Sequence, residues 1–379
     1  MCGIVAYIGE QDATPIVIDG LKKLEYRGYD SAGIAIIEDG KIEIRRVAGK
    51  IDNLEKLVAQ NPVKGSIGIG HTRWATHGVP NEQNAHPHLG MAGRIVIVHN
   101  GIVENYLSLR EELIAEGVEF KSDTDTETIA HLIEGFYNDT EDLFTAVQRT
   151  LGMIRGAHGL VVMSTVEPDK LIAARLGNAG GVAIGVGENE MFIASDVPAI
   201  VNYTRKMLFL ESGQIAVVRQ NGYEIQDLAG NKVDTKPETI PWDPISAEKG
   251  KYRHFMQKEI HEQVRALSDT LSGRVDFDDY RIVLPGLNLT EQRAKEIKKI
   301  YITACGTAAY AGMVGKYLIE HICRIPTEVM IASEFRYCDP ILEEGTIVLA
   351  ISQSGETADT LAAMEEARNK GAELWSIVN

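Results

Sequence analysis

Met1-Cys2-Gly3-Ile4-Val5-Ala6-Tyr7-Ile8-Gly9 opens the chain, and its reading decides the first fold. The run is apolar, rich in β-formers and bounded by Gly9-Glu10-Gln11-Asp12, so it predicts a strand. It lacks the basic start and the longer apolar stretch of a secretory signal. A small residue in second place allows the initiator methionine to be removed, which would leave Cys2 first. A free α-amine titrates near pH 7.7–8.0 and a thiol near about 8.5, both close to working pH. The amine can then act as general base for the thiol of its own residue, directly or through a water. Taken alone, Cys2 reads better as a small buried strand cysteine.

Working outward, residues 13–25 predict a helix with Ile16, Ile18, Leu21 and Leu24 on one side. Tyr26-Arg27-Gly28-Tyr29-Asp30-Ser31-Ala32-Gly33 then leads into the strand Ile34-Ala35-Ile36-Ile37. Gly70-His71-Thr72-Arg73-Trp74-Ala75-Thr76-His77-Gly78 and Asn84-Ala85-His86-Pro87-His88 follow. A strand over Arg94-Ile95-Val96-Ile97-Val98 runs into His99-Asn100-Gly101, whose Asn-Gly pair reads as a turn exposing N–H groups. By itself that pair is a hairpin turn. Glu104 to Glu116 predicts a helix closed by Gly117. In Ser122-Asp123-Thr124-Asp125-Thr126-Glu127, the last four residues form a capping box ahead of Ile129, Leu132, Ile133, Phe136 and Tyr137. From Gly159 to Gln226 the pattern is a series of short strands, such as Leu160-Val161-Val162-Met163 and Ile215-Ala216-Val217-Val218. Separate runs of strands and helices suggest sheets packed face to face with helices outside.

Composition narrows the function. The 379 residues carry 38 Lys and Arg against 54 Asp and Glu, a net charge of −16. Such an acidic chain is a poor binder of nucleic acid or acidic membrane, which need clustered positive charge. No apolar run approaches the roughly 18 residues of a membrane span. Four cysteines at 2, 305, 323 and 338 make neither a disulfide framework nor a paired-cysteine zinc site. Five histidines, at 71, 77, 86, 88 and 99, raise the question of zinc. Their spacing is not that of a helical pair, no cysteine or acidic triad accompanies them, and no metal is expected.

The order and spacing of these motifs over residues 2–230 resemble the glutamine amidotransferase domain of the N-terminal-nucleophile hydrolases. That resemblance implies a four-layer αββα sandwich and a division of labour at the site. Cys2 would be the nucleophile and its α-amine the base. The Asn100 side chain and the Gly101 N–H would be the oxyanion donors. Arg73, otherwise a solvated surface arginine, would clamp the α-carboxylate of glutamine by its fork. Asp125 would hold the ammonium, which is compatible with its place at a helix start. Trp74 to Pro80 would be the mobile loop over glutamine, with Trp74, Thr76, His77 and Arg27 near the pocket.

Residues 229–253, with Pro237, Pro241, Trp242, Pro244 and Gly250, predict a linker between a domain at 1–228 and another at 254–379. His254 to Leu271 predicts a helix ended by Ser272-Gly273. From about residue 298 the pattern becomes βαβα. Ile300-Tyr301-Ile302-Thr303-Ala304 leads through Cys305-Gly306-Thr307-Ala308-Ala309 into a helix reaching about Cys323. Glu328 to Ile331 is the next strand. Thr346-Ile347-Val348-Leu349-Ala350-Ile351 leads through Ser352-Gln353-Ser354-Gly355-Glu356-Thr357 into another helix. Strand, small polar turn and helix present a helix N-terminus to anions in a parallel sheet. Hydroxyls at 352, 354 and 357 beside Gln353 and Gly355 favour a phosphate cradle over a plain helix cap. This half resembles a sugar isomerase domain. The whole chain resembles the glutamine–fructose-6-phosphate aminotransferases.

The family reading implies that ammonia from L-glutamine passes to fructose 6-phosphate, giving glucosamine 6-phosphate and glutamate. It implies no cofactor, a cytoplasmic location and a homodimer at full length. By motif match, Thr307, Ser352, Gln353, Ser354 and Thr357 would bind the sugar phosphate. Ala308 replaces a serine frequent in the family, which removes one hydroxyl from that turn. Cys305, Cys323 and Cys338 read as structural. Phosphoribosyl-pyrophosphate amidotransferases and asparagine synthetases share the first half. However, the second half has neither an acidic pair leading to a Thr/Gly phosphoribosyl loop nor a Ser-Gly-Gly-x-Asp loop. A non-catalytic phosphosugar-binding protein is the reading of another class, and Cys2, Arg73, Asn100, Gly101 and Asp125 together weigh against it. Ile377-Val378-Asn379 falls inside what reads as a buried strand. Family members carry two sugar isomerase domains, so a truncated chain is expected. The enolisation acid and base and the sugar-ring lysine would then lie beyond Asn379.

Overall fold

The computed structural model describes residues 2–75, 77–177, 181–240, 252, 254–276, 281–282, 284, 287 and 289–378. The chain divides into two units, Met1–Glu248 and Lys249–Asn379.

The first unit begins β1 (Gly3–Ile8), α1 (Ala13–Leu24), β2 (Ser31–Glu38), β3 (Lys41–Ala48), α2 (Ile51–Gln60) and β4 (Ile67–Arg73). It continues β5 (His88–Leu89), β6 (Ile95–Gly101), α3 (Tyr106–Ala115), α4 (Thr126–Thr140) and α5 (Leu143–Met153). Then come β7 (His158–Ser164), β8 (Lys170–Leu176), β9 (Ala183–Val186) and β10 (Met191–Ala194). β11 (Lys206–Phe209), β12 (Gln214–Arg219), β13 (Gly222–Asp227) and β14 (Glu238–Thr239) complete it. Two antiparallel sheets result, of order β14-β11-β9-β10-β1-β4-β2-β3 and β13-β12-β8-β7-β6-β5.

Side-chain alternation along each strand builds the layers. Ile4, Ala6 and Ile8 of β1 meet Ile67 and Ile69 of β4 and Val96 and Val98 of β6 between the sheets. Val5 and Tyr7 face outward and pack with Ile16, Val17, Leu21 and Leu24 of α1. On the far side, Ile95 and Ile97 pack under Ile129 and Ile133 of α4 and Ala146 and Val147 of α5. This is the four-layer αββα sandwich. Each large aliphatic side chain there stabilises the fold by about 2 kcal/mol through leaving water, so a slip of one residue is costly on both faces. α1 starts cleanly because the Asp12 carboxylate accepts the Thr14 N–H at 3.1 Å.

Two local expectations differ. Asn100 and Gly101 are not a hairpin turn: they end β6 and still pair with Gly159 and His158 of β7. The sheet continues through them because β7 supplies partners. Gly101 has φ +138, and a Cβ there would lie 2.2 Å from the Ala157 carbonyl oxygen, so only glycine fits. Residues 229–240, read as the start of a linker, belong to the first unit. β14 pairs with β11, Val233 packs against the core between the sheets, and Ile240 packs against the core beneath α1. The remainder of that segment, 241–251 and 253, lies outside the described residues.

The second unit contains α6 (Phe255–Leu271), a two-stranded ladder of β15 (Val275–Asp276) and β16 (Arg281–Ile282), and α7 (Glu291–Glu296). β17 (Lys299–Ala304), α8 (Gly306–Leu318), β18 (Thr327–Ile331), α9 (Ala332–Tyr337) and β19 (Thr346–Ser352) follow. α10 (Ala358–Asn369) and β20 (Glu373–Val378) come last. The sheet is parallel, of order β18-β17-β19-β20. One face packs Tyr301 and Val348 against Phe335 of α9 and Ala363 and Ala367 of α10. The other carries Ile302 and Val329 against Gly312 of α8, where a Cβ would come within 2.8 Å of Ile302. β20 differs from the expected buried strand. It pairs only with β19 among the described residues, and Ile377 and Val378 are 59% and 51% exposed.

Candidate active site

The same alternation that fills the space between the first unit's sheets carries polar residues to its end. Cys2 precedes Ile4, Ala6 and Ile8. His71 and Arg73 follow Ile67 and Ile69, and Asn100 follows Val96 and Val98. Three strand ends therefore bring a thiol, a guanidinium and an amide together. Cys2 is half-buried, with its sulfur accepting the Trp74 N–H at 3.2 Å. Its S–H reaches the Trp74 carbonyl at 3.5 Å. The Asn100 Nδ2 donates to the Cys2 carbonyl at 3.2 Å. Burial pushes the Cys2 thiol up, while the Trp74 N–H and the charges of Arg73 and Arg27 pull it down.

Arg73 is buried, and its Nη2 donates to the His77 carbonyl and to the Gly78 carbonyl at 3.5 Å. Burial lowers its guanidinium from the usual range, against the opposing charges of Cys2, Asp125 and Asp30. His77 also points its Nδ1 at Asp125 Oδ1, 3.9 Å away, and sets its ring edge-on against Tyr106. Asp125 holds its other oxygen on the Val103 N–H at 2.8 Å. The expected capping box is replaced: the Thr124 hydroxyl turns to Ser122 Oγ at 2.9 Å and His88 Nε2 at 3.1 Å, and the Asp125 side chain makes no capping bond to α4. Glu127 reaches back instead to the Lys121 and Ser122 N–H groups at 2.7 and 2.6 Å, and to the Ser122 hydroxyl at 2.7 Å. These bonds, together with His131 Nε2 lying 3.4 Å from Oε1, outweigh burial and hold its carboxyl down at about 2. The loop before α4 is thereby pinned, and Asp125 is left facing the site.

The remaining expected residues are spread around this centre. Trp74 lies beside Cys2 through its backbone, while its indole is 47% exposed and stands edge-on to Tyr29. Thr76 lies outside the described residues. Arg27 is buried and engages Asp196 Oδ2 at 2.8 Å and the Ser195 carbonyl at 3.3 Å. Asp30 had no assigned role in the sequence, yet its carboxylate accepts the Ala75 N–H at 2.9 Å and its N–H donates to the Arg73 carbonyl at 3.0 Å. It fixes the backbone that meets Cys2. Its place in the Tyr26–Gly33 stretch was visible; its partner was not, since it sits on another strand end.

Histidines cluster beneath the site. His71 Nε2 is 3.0 Å from Asn100 Oδ1, and its ring stacks on His86 at 4.1 Å. His86 Nδ1 accepts the His99 N–H at 3.3 Å, and His88 Nε2 meets the Thr124 hydroxyl at 3.1 Å. Burial pushes His71 and His88 down to about 3, and His86 and His99 well below their ordinary value. Among the described residues no group of three or more His, Cys, Asp or Glu is arranged to hold a metal.

In the second unit, the turns after β17 and β19 lie side by side, since the strands pair through Ala304 and Ile351. The Thr360 hydroxyl reaches the Cys305 sulfur at 3.9 Å between them. Ser352 is buried at the end of β19; its Oγ accepts the Gly355 N–H at 3.0 Å and lies 3.5 Å from Thr357 Oγ1. Ser354 Oγ accepts the Glu356 N–H at 3.1 Å. Thr307, Gln353 and Ser354 are exposed, with Thr307 in the first turn of α8 and Thr357 at the start of α10. Hydroxyls and two helix N-termini thus gather at the carboxyl edge of the sheet, an arrangement suited to an anion.

Residues 71–202 match the family described as glutamine amidotransferase domain, and residues 295–379 match the SIS domain. Curated relatives named glutamine–fructose-6-phosphate aminotransferase [isomerizing] align with every residue of the chain. One from Caldanaerobacter subterraneus subsp. tengcongensis is 50% identical, and one from Clostridium acetobutylicum is 48% identical. The chain spans 62% of the length of each. Among solved structures, a glutamine phosphoribosylpyrophosphate amidotransferase from Bacillus subtilis is similar in fold, with a TM-score of 0.54 and 19% identity. That match covers 100% of this chain and 81% of the other. The chain thus matches a glutamine amidotransferase domain followed by a SIS domain, and it is similar along its whole length to the isomerizing glutamine–fructose-6-phosphate aminotransferases.

Proposed function

We propose that the first unit hydrolyses L-glutamine at Cys2, once the initiator methionine has been removed and the α-amine of Cys2 is free. The amine takes the thiol proton as sulfur attacks the amide carbon. The carbonyl oxygen becomes an oxyanion, received by Asn100 Nδ2 and the Gly101 N–H. Nitrogen leaves as ammonia with a proton from the amine, giving a thioester. Water then cleaves the thioester to glutamate and restores the thiol. Arg73 holds the α-carboxylate and Asp125 the ammonium, with Trp74, His77 and Arg27 around them; Thr76, expected with these, lies outside the described residues. His77 must yield, because its carbonyl and imidazole now face the two groups that glutamine needs. The placement of Cys2 between the Trp74 N–H and the Asn100 amide carries this reading.

For the second unit the reading is a sugar-phosphate cradle formed by Thr307, Ser352, Gln353, Ser354 and Thr357. The whole protein then passes ammonia to fructose 6-phosphate, yielding glucosamine 6-phosphate, in the cytoplasm and as a homodimer. The SIS match of residues 295–379 favours this acceptor over phosphoribosyl pyrophosphate. The test is an assay with glutamine and fructose 6-phosphate in which glutamate and glucosamine 6-phosphate are read separately. Glutamate release is the expected result for this chain; its absence from correctly processed protein overturns the glutaminase reading.

A further inference from the structure

Asn100 can serve an oxyanion only if its amide points the right way, and an amide has two orientations of nearly equal shape. The surroundings break that symmetry. Toward the first strand, Asn100 faces the Cys2 carbonyl, a pure acceptor, at 3.2 Å, so Nδ2 must lie on that side. Oδ1 then faces His71 Nε2 at 3.0 Å, and this nitrogen must carry a proton. The contact spans the two sheets, from β4 to β6, and both residues are buried.

The His71 ring has little freedom to do otherwise. It lies stacked 4.1 Å from His86, at an interplanar angle of 17°. His86 is held in turn, because its Nδ1 accepts the His99 N–H of β6, the residue before Asn100. One ring therefore fixes the amide, and the next fixes the backbone that carries it. Protonating His71 fully would place a buried cation near Arg73, and burial together with that charge keeps the ring neutral.

We propose that His71 is a positioning residue for glutamine hydrolysis, donating from Nε2 to Asn100 Oδ1 and so holding Nδ2 toward the acyl carbon at Cys2. This rests on the reading of Asn100 as an oxyanion donor. Without the His71 donor the amide is free to turn over and present an oxygen to the developing negative charge.

The test is a double-mutant cycle on glutamate release by the chain with its initiator methionine removed. Asn100→Ala lowers kcat first, and its failure to do so overturns the oxyanion reading itself. Given that loss, His71→Leu should lower kcat by about 10- to 100-fold, with KM for glutamine nearly unchanged. His71→Gln, which can again donate an N–H, should recover part of it. The double variant should be no slower than Asn100→Ala alone; additive losses overturn the proposal. Alkylation of Cys2 by iodoacetamide, followed by peptide mass, should proceed at the parental rate in His71→Leu. A matching fall in that rate would mark general damage instead and overturn the proposal. The unsubstituted protein gives a reading independent of folding in the variants: nitrogen-15 NMR of labelled histidine should show His71 neutral and protonated at Nε2. An Nδ1–H form overturns the assignment.

Discussion

The two candidate sites lie on different kinds of support. In the first unit, the ends of β1, β4 and β6 and the starts of α3 and α4 each contribute, and nearly every polar atom named is held by another element. In the second unit, the turn after β19 mainly satisfies itself, through Ser352 with Gly355 and Ser354 with Glu356. The first arrangement is a set of partners fixed by the whole fold, and changing one member disturbs several. The second is a local cradle, where exposed hydroxyls can be exchanged with little cost to the framework. Sites that build charge in a transition state need the first kind, since preorganised dipoles must not reorient during reaction. A group that only binds a phosphate can use the second.

The strongest break in that comparison is Cys2→Ala, which should abolish glutamate release while leaving fructose 6-phosphate binding to the second unit unchanged. Surviving glutaminase rate would sink the nucleophile assignment. Gly101→Ala is expected next. A Cβ at φ +138 and 2.2 Å from the Ala157 oxygen should cost about 3 kcal/mol and most of the activity, read by chemical denaturation and glutamate release. A parental midpoint would show that β6 relaxes more easily than its ladder with β7 suggests.

Acid should separate the units. His71, His86, His88 and His99 are neutral when folded, with His71 and His88 held down to about 3. Unfolded, these rings take up protons below about pH 6.5, so the unfolded state binds more protons and stability falls as pH falls. Their contribution is whole above about pH 6.5 and declines toward 3, by about 1.4 kcal/mol per pH unit for each ring. Glu127 adds stability above its unfolded pKa and, held down to about 2, loses it only at lower pH. Between about pH 6.5 and 4.5 the histidines therefore dominate. His254, His261 and His321 of the second unit are exposed. Calorimetry should show the first unit's melting transition dropping across that window while the second unit's stays; a flat first transition would contradict neutral burial. The smallest effect is Ser352→Ala. Fructose 6-phosphate should raise the second unit's melting temperature by several degrees, and this substitution should remove about half of that protection. Full protection in the variant would count against the cradle.

Much of this was legible in residues alone. The apolar strand behind Cys2, the helix over residues 13–25, and the βαβα spacing from residue 298 all followed from side-chain period and end signals, which are local. Asn100-Gly101 was misread as a turn for the same reason: the dipeptide's local preference says turn, but β7 offers a ladder that continues through it. Residues 229–240 looked like linker because Gly, Pro and charge stand there with few apolar anchors, whereas β11 provides an edge for β14. The role of Asp125 came from resemblance; that its carboxylate is turned from α4 to Val103 came from packing.

By itself, then, the sequence determined that Cys2 opens one apolar strand row and that Asn100 follows another, since both are local patterns. Only the tertiary structure decided that those rows end at one place. Register and sheet order are set by contacts far apart in the chain, such as Ile4 with His71 and Asn100 with Gly159, and no local preference encodes them. The amide orientation at Asn100 is a further step removed. It depends on an acceptor from β1 and a donor from β4 closing on one side chain, a geometry that exists only after both sheets have packed.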